Sequence, residues 1–480
     1  MTARREAPPA EGLGCREAAP PFAVFTPGVP PRMRRLTRLH ASRSTGHDAS
    51  GPKGGAPSAS SNDNRPARSD IVRKRFLAGA AALAVLSGCA SVAPTPQPTW
   101  PDVVVHLHTL GKAYLVDPRT DQVVAALDTV PGGNLGSTTP DGRFVYVGGE
   151  ALNQNTVTVL DLRERRVVKK LATGSRPKHP QVSPDGRWVM VNHWGLDDGK
   201  LRVTFIDTRT HEIAKNVEIA VAGAASPTAV TSMHNSWSRD SRYAFTVDRV
   251  DRHLLVIDTR DWSVRKIATP SQPHYPVPSP DGKELWLVVE GRGTAEPPAA
   301  LVYDLAQSGM PQIARVNLPL AGQAAIEGHH GNFTQDGRHF YMLNRGPGND
   351  LKGTEVAVVD ARTKRVVARV DTGSTGIGHT YNTPDGRYAV VTNYGNNVIS
   401  IVDAKTFRLV KDLTVGKGRM GHVAFTRDGR FGYVSNAGDG NLHKLDLASL
   451  TVVKEIATGN APGGAQVLNV WTPVFEELPR

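Results

Sequence analysis

Seven of the sixteen histidines in this 480-residue chain occupy one spot relative to a recurring turn. The turn reads Ser/Thr-x-Asp-Gly-Arg or a close variant. With its Ser or Thr as zero, His179, His234, His330, His379 and His422 stand at minus four, and His274 and His329 at minus five. Six repeat units thus carry at least one imidazole at the same place. The unit at Thr139 has Leu135 and Asn134 there instead. Neutral imidazole is a good ligand for copper, zinc, iron and nickel. A ring of such groups converging on one axis suits a transition metal (Cu, Fe or Zn), or an axial ligand to a tetrapyrrole. Arg176, Lys178, Lys417 and Arg419 lie in the approach to the same positions, with Arg249 and Arg345 in nearby loops. These cations are candidates for binding the carboxylates of a haem or another anion. Duplication of one ancestral histidine is the competing explanation, and six units out of eight favour a metal, haem or ligand site over it. His108 and His193 are expected on the same face.

The elements that must position these residues are short strands. The turn recurs at Thr139, Ser183, Ser238, Ser279, Thr334, Thr383 and Thr426. Pro sets φ, Asp caps the turn through its side chain and Gly takes a positive φ, so each copy predicts a hairpin. A second pattern, Val-x-Val-x-Asp followed by a turn and another β-rich run, ends on Asp117, Asp161, Asp207, Asp258, Asp304, Asp360, Asp403 and Asp446. The spacing of the units is that of four-stranded propeller blades, and residues 101–472 show no helical period. Val103–Leu127 has three strands and lacks an inner one, while 464–471 is an orphan strand at the other end. The prediction is all-β: a single β-propeller of eight four-stranded blades, with the last strand completing the first blade and removing the open edge. Seven blades is the alternative. Trp188, Trp237 and Trp286 follow the repeat and are expected to pack between sheets. Glu290 and Glu327 are candidate bases near the ring.

Phe144–Val147, Tyr388–Asn393 and Phe431–Asn436 carry a resemblance to the YVTN-type β-propeller repeat, over about residues 101–472. The family includes YncE-like periplasmic propellers, the eight-bladed d-type haem domain of periplasmic nitrite reductase, and a lipid-anchored propeller in the biosynthesis of that haem. The resemblance implies the fold, and it makes d-type haem a candidate cofactor with its iron ligand at an inner-strand end. A propeller histidine ring also holds the copper cluster of nitrous oxide reductase, an analogy of placement only. The chain has no attached c-type haem motif, which argues against a complete nitrite reductase.

Ahead of the repeats, residues 1–70 are rich in Pro, Ala, Arg, Ser and Gly without hydrophobic period, and a disordered leader is expected. Residues 71–88 combine Arg73-Lys74-Arg75, a short apolar run and Leu86-Ser87-Gly88 before Cys89. This is a secretory signal, and Leu-Ser-Gly-Cys resembles the bacterial lipobox, which implies lipidation at Cys89. Residues 89–100 are a Pro-rich tether, and 473–480 a tail. Ala90, rather than Asp, favours the outer membrane over retention at the inner one. Cys15 and Cys89 are the only cysteines, and both precede the repeats. That excludes a disulfide scaffold, an iron–sulfur site and a cysteine nucleophile from the folded part. The net charge of +12 points to a polyanion only superficially. Residues 1–88 hold 14 Lys/Arg against 6 Asp/Glu, leaving 43 against 39 for the rest, so nucleic acid is not an expected partner. The reading is a monomeric, periplasm-facing lipoprotein, membrane-bound through its anchor, whose histidine face handles a metal or haem in redox, cofactor or metal-homeostasis work. A protein-binding scaffold of the envelope and a lactonase-like hydrolase are the alternatives.

Overall fold

The repeated turn forms as its residues dictate. At the first copy, Gly142 N donates to Thr139 O (2.7 Å), Thr139 Oγ1 donates to Asp141 Oδ1 (2.5 Å), and Arg143 N donates to the same carboxylate (3.1 Å). Gly142 sits at φ 71°, where a side chain would be strained. The copy at Ser238 has serine in place of this glycine. Ser241 still takes φ 59°, and its hydroxyl accepts from Asp185 N of the neighbouring turn (2.9 Å). Arginine at the end of the turn can reach the aspartate that ends the third strand. Arg143 meets Asp161 at 2.9 Å and Arg242 meets Asp258 at 2.8 Å. Two sequence signatures about 18 residues apart are thereby one structural unit.

The computed structural model describes residues 103–291, 296–318, 327–346, 353–459 and 461–469. Among these residues there are thirty-two strands and no helix. The strands form eight four-stranded antiparallel sheets arranged in a ring, the eight-bladed propeller predicted; the seven-bladed alternative falls. Leader, signal peptide, Cys89, tether and tail lie outside the described residues. Blade 1 consists of Val104–His108, Lys112–Asp117 and Gln122–Asp128, and its innermost strand is Gly464–Asn469 from the other end of the chain. The pairing runs from Val104↔Asn469 to His108↔Gly464, so the ring closes as the orphan strands require. In blades 2 to 8 the inner strands are Gly133–Thr138, Pro177–Val182, Ser236–Trp237, Pro273–Pro278, Glu327–Phe333, Ile377–Asn382 and Met420–Phe425.

Burial follows the radius of the ring. Second strands such as Tyr388–Asn393 are buried on both faces after the first residue, because each sheet packs between two others. Outermost strands such as Leu409–Thr414 are almost wholly exposed. The three tryptophans pack between blades as expected. Trp237 lies 6.0 Å from Phe205 and donates from Nε1 to Gln181 O of blade 3 (3.0 Å). Trp286 meets Phe333 and Phe340 of blade 6 at 5.6 and 4.7 Å, and Trp188 meets Trp262 of blade 4 at 5.7 Å.

One feature of the inner strands departs from simple alternation. Their register against the second strand shifts at Gly133/Gly136, Pro177/His179, Pro273/Tyr275, Gly328/Gly331, Ile377/His379 and Met420/Val423. In five of these six blades the irregularity falls on or beside the histidine position. A bulge lets neighbouring residues face the same way and re-aims side chains. In blade 4, His234 precedes the two-residue strand altogether, and its backbone N donates to His274 O across the blade boundary (3.3 Å).

Candidate metal centre

The bulged inner strands bring all seven histidines into one continuous cluster. Ring centroids are 5.4 Å apart for His179–His234, 4.3 Å for His234–His330, 4.2 Å for His330–His379 and 4.6 Å for His379–His422. His274 joins at 5.3 Å from His234 and 5.2 Å from His330, and His329 at 4.6 Å from His274 and 4.4 Å from His330. None is more than 5% exposed. Two groups have one ring nitrogen from each member within 4.8 Å of the others: His234, His274 and His330, and His329, His330 and His379. His179 and His422 flank the cluster and belong to neither group. His108 and His193 stand apart and take local partners: His108 Nε2 bonds Ala461 O (2.7 Å), and His193 bonds Arg202 O (2.8 Å) and Thr173 Oγ1 (3.1 Å).

Burial keeps these imidazoles neutral. It holds His179, His234, His329, His330 and His379 well below the ordinary imidazole value. It lowers His274 to about 4, against an opposing pull from Glu290, and His422 to about 3. The neutral form is the one that ligates metals.

Partners that the repeat does not predict surround the cluster. Glu290, considered above only as a base, accepts from His274 Nδ1 at 2.6 Å and pairs with Arg249 at 3.0 Å. All of these groups are buried. The bond to Glu290 commits the His274 proton to Nδ1 and leaves Nε2 as the ligating atom. His274 Nε2 is buried without a hydrogen-bond partner among the described residues, a state that costs roughly 1–3 kcal/mol unless a ligand meets it. Tyr394 OH bonds His379 Nε2 at 2.5 Å, and Tyr381 OH bonds His422 Nδ1 at 2.8 Å. Tyr275, at minus four in blade 5, lies 5.4 Å from His234 and 5.2 Å from His330. Sequence reasoning missed these tyrosines, since tyrosine in a β-rich chain reads as packing. The signal for Tyr275 was that it fills the histidine position of its blade. The side chain of Glu327 lies outside the described residues.

Of the five candidate cofactor cations, Lys178, Arg345 and Arg419 stand near enough to the histidine cluster to help hold its imidazoles neutral. Lys178 donates to Glu150 (2.6 Å), which also accepts from Asn134 (2.7 Å). Arg176 donates to the carbonyls of Glu150, Thr228 and Ala229. Arg345 donates to His329 Nδ1 (3.1 Å). Arg345 and Arg419 lie over the Tyr394 ring at 5.7 and 4.7 Å. Lys417 is exposed, and its backbone N bonds Asp439.

These distances also test the tetrapyrrole. A macrocycle stacked between two unligated imidazoles needs them about 7 Å apart, twice a van der Waals contact of ~3.5 Å. The neighbouring rings named above stand 4.2–5.4 Å apart, leaving no slot for a flat macrocycle stacked between them, and the two three-histidine groups offer a donor set for a single ion.

The chain matches the family model of the cytochrome D1 heme domain over residues 102–229 and 198–388. No curated protein sequence matches it. Among solved structures it is similar to the dihydro-heme d1 dehydrogenase NirN in complex with DHE, at 21% identity, covering 78% of this chain and 77% of that one, with a TM-score of 0.62. It is similar to apo AztD from Citrobacter koseri, at 12% identity, 77% and 97% coverage and a TM-score of 0.55. It is also similar to the periplasmic gluconolactonase PpgL of Pseudomonas aeruginosa, at 18% identity, 78% and 99% coverage and a TM-score of 0.52. At such identities the three likenesses speak for the fold. The family match spans more than half of the chain, and this eight-bladed propeller belongs to the cytochrome D1 haem-domain family.

Proposed function

We propose that this protein is a lipid-anchored, periplasm-facing propeller that holds a transition-metal ion of the copper, zinc or iron class in its buried histidine cluster. The observation that carries the reading is the pair of three-histidine groups with ligand atoms within 4.8 Å, all neutral and buried. Imidazole-rich, thiol-free donor sets suit zinc, copper, iron and nickel. The carboxylate behind His274 is the kind of outer partner that metal-ligating histidines have. Family membership supports cofactor or metal work on this fold, and the periplasmic gluconolactonase among the similar structures supports the compartment. The lipobox at Cys89 supports the anchor, with the outer membrane as its destination. The bound ion would serve metal homeostasis or redox chemistry.

Elemental analysis with a visible spectrum, on untagged protein purified from its native compartment, tests the reading. About one equivalent of copper, zinc or iron per chain is expected, lost on joint replacement of His330, His379 and His422 by alanine. Haem absorption without additional metal would replace the ion by a d-type haem bound outside the cluster. Protein that arrives metal-free and takes up no metal would sink the proposal in favour of an envelope scaffold.

A further inference from the structure

The two three-histidine groups are not equivalent, although they share His330. A tetrahedral ion at 2.0–2.1 Å from each nitrogen needs ligand atoms about 3.3 Å apart. Each group has its ligand atoms within 4.8 Å of one another, and a bound ion would draw them in to that distance. Their surroundings differ in charge. Behind His234–His274–His330 stands a buried carboxylate, with Glu290 Oε1 at 2.6 Å from His274 Nδ1. Arg249 Nη1 meets the same Oε1 at 3.0 Å, and Arg249 Nη2 donates to Oε2 at 3.2 Å. This bond fixes the tautomer that leaves Nε2 as donor, and the carboxylate favours a cation beside it. Beside His329–His330–His379 stands a guanidinium, with Arg345 Nη1 at 3.1 Å from His329 Nδ1. A hydroxyl, Tyr394 OH, engages His379 Nε2. A cation here meets repulsion from the guanidinium.

We propose that the cluster holds one divalent ion in two positions, a resting position on His234–His274–His330 and an exchange position on His329–His330–His379, with His330 bonded in both. This rests on the metal-binding reading above. In passing from rest to exchange, the ion trades its bonds to His234 and His274 for bonds to His329 and His379. No electron moves, the ion keeps its charge, and Tyr394 and Arg345 keep their protons. Glu290 is a positioning residue that favours rest, and Arg345 keeps the exchange position weak, so that an ion arriving there does not stay.

The experiment loads the mature protein with Co²⁺ and Zn²⁺, measures Kd by chelator competition, and follows release in stopped flow. Wild type should bind one ion. Glu290→Gln and His274→Gln should weaken Kd by about 10- to 100-fold, the range for loss of an outer-shell partner or more. His329→Gln should leave Kd within about 3-fold and slow release by roughly 10-fold or more, since affinity and release rate then belong to different groups. The Co²⁺ spectrum of His329→Gln should match wild type, and that of His274→Gln should not. Equal weakening by His274→Gln and His329→Gln, two ions bound together, or an unchanged Kd in Glu290→Gln would each overturn the two-position scheme while leaving metal binding intact. A wild type that binds neither ion would refute the metal reading itself. Should His274→Gln fail to fold, by circular dichroism, Glu290→Gln and His329→Gln decide the matter.

Discussion

Two sides of the same axis use the same repeat position differently. In blades 3 to 8 the inner-strand start carries imidazoles that pack against one another. In blade 2 it carries Leu135, which is buried in the apolar core, and Asn134, bonded to Glu150. On the closing strand of blade 1, Gln466 Oε1 accepts from Gly136 N at 2.7 Å. Leucine and amides thus satisfy this position by ordinary packing and hydrogen bonding. The fold does not require histidine there, and duplication does not enforce it. His108 and His193 make the complementary point: outside the cluster, each takes backbone or hydroxyl partners within its own surroundings. Within the cluster, His274, His329, His379 and His422 engage Glu290, Arg345, Tyr394 and Tyr381.

The sharpest way to break this contrast is His330→Ala. It removes the residue common to both three-histidine groups, and Zn²⁺ or Co²⁺ affinity should fall about 100-fold or more, since outer-shell losses alone reach that size. Isothermal titration checks it. A fall under ~3-fold would return the cluster to repeat inheritance.

Acidification should destabilise the metal-free protein. His274 and His422 titrate near 4 and 3 when folded and near 6.5 when unfolded. Between those values the unfolded chain binds the extra protons, so stability is full above about pH 6.5 and falls as the pH drops towards 4. At pH 5 each of the two should cost roughly 2 kcal/mol relative to pH 7.5. Denaturant melts at the two pH values measure the combined loss from these two and the other buried histidines, and a flat profile would mean that the rings are not buried in solution.

Leu135→His carries the histidine pattern across the axis. It should destabilise by about 1–3 kcal/mol through burial of a polar ring in an apolar site, without raising metal stoichiometry. A gain of metal would show that blade 2 belongs to the site after all. The smallest effect is expected from His193→Gln, with roughly 1 kcal/mol of stability lost with its hydrogen bonds and metal affinity unchanged. Thermal melting with chelator competition separates the two quantities.

Blade number and ring closure were legible because turn chemistry and strand alternation are local. Thr139-Pro-Asp-Gly-Arg143 makes the same turn wherever it stands, and three strands lacking a partner at one end need the orphan strand from the other. The seven histidines were legible as a set because they share an offset from that turn. Glu290 gained its role only from a neighbour 16 residues away. Tyr381 and Tyr394 looked like any other β-strand tyrosines.

The sequence by itself therefore determined a propeller with its closing strand, eight blades favoured over seven, and the end at which six of the blades carry imidazoles. All of these follow from short-range preferences repeated eight times. Only the tertiary structure decided that inner-strand bulges aim seven rings into one cluster. It also decided that five of them fall into two groups sharing His330, and that a carboxylate backs one group and a guanidinium the other. The clustering depends on distances between histidines 40 or more positions apart, and the flanking charges on neighbours 16 positions away at the end of the next strand, which no local preference sets before the ring has closed.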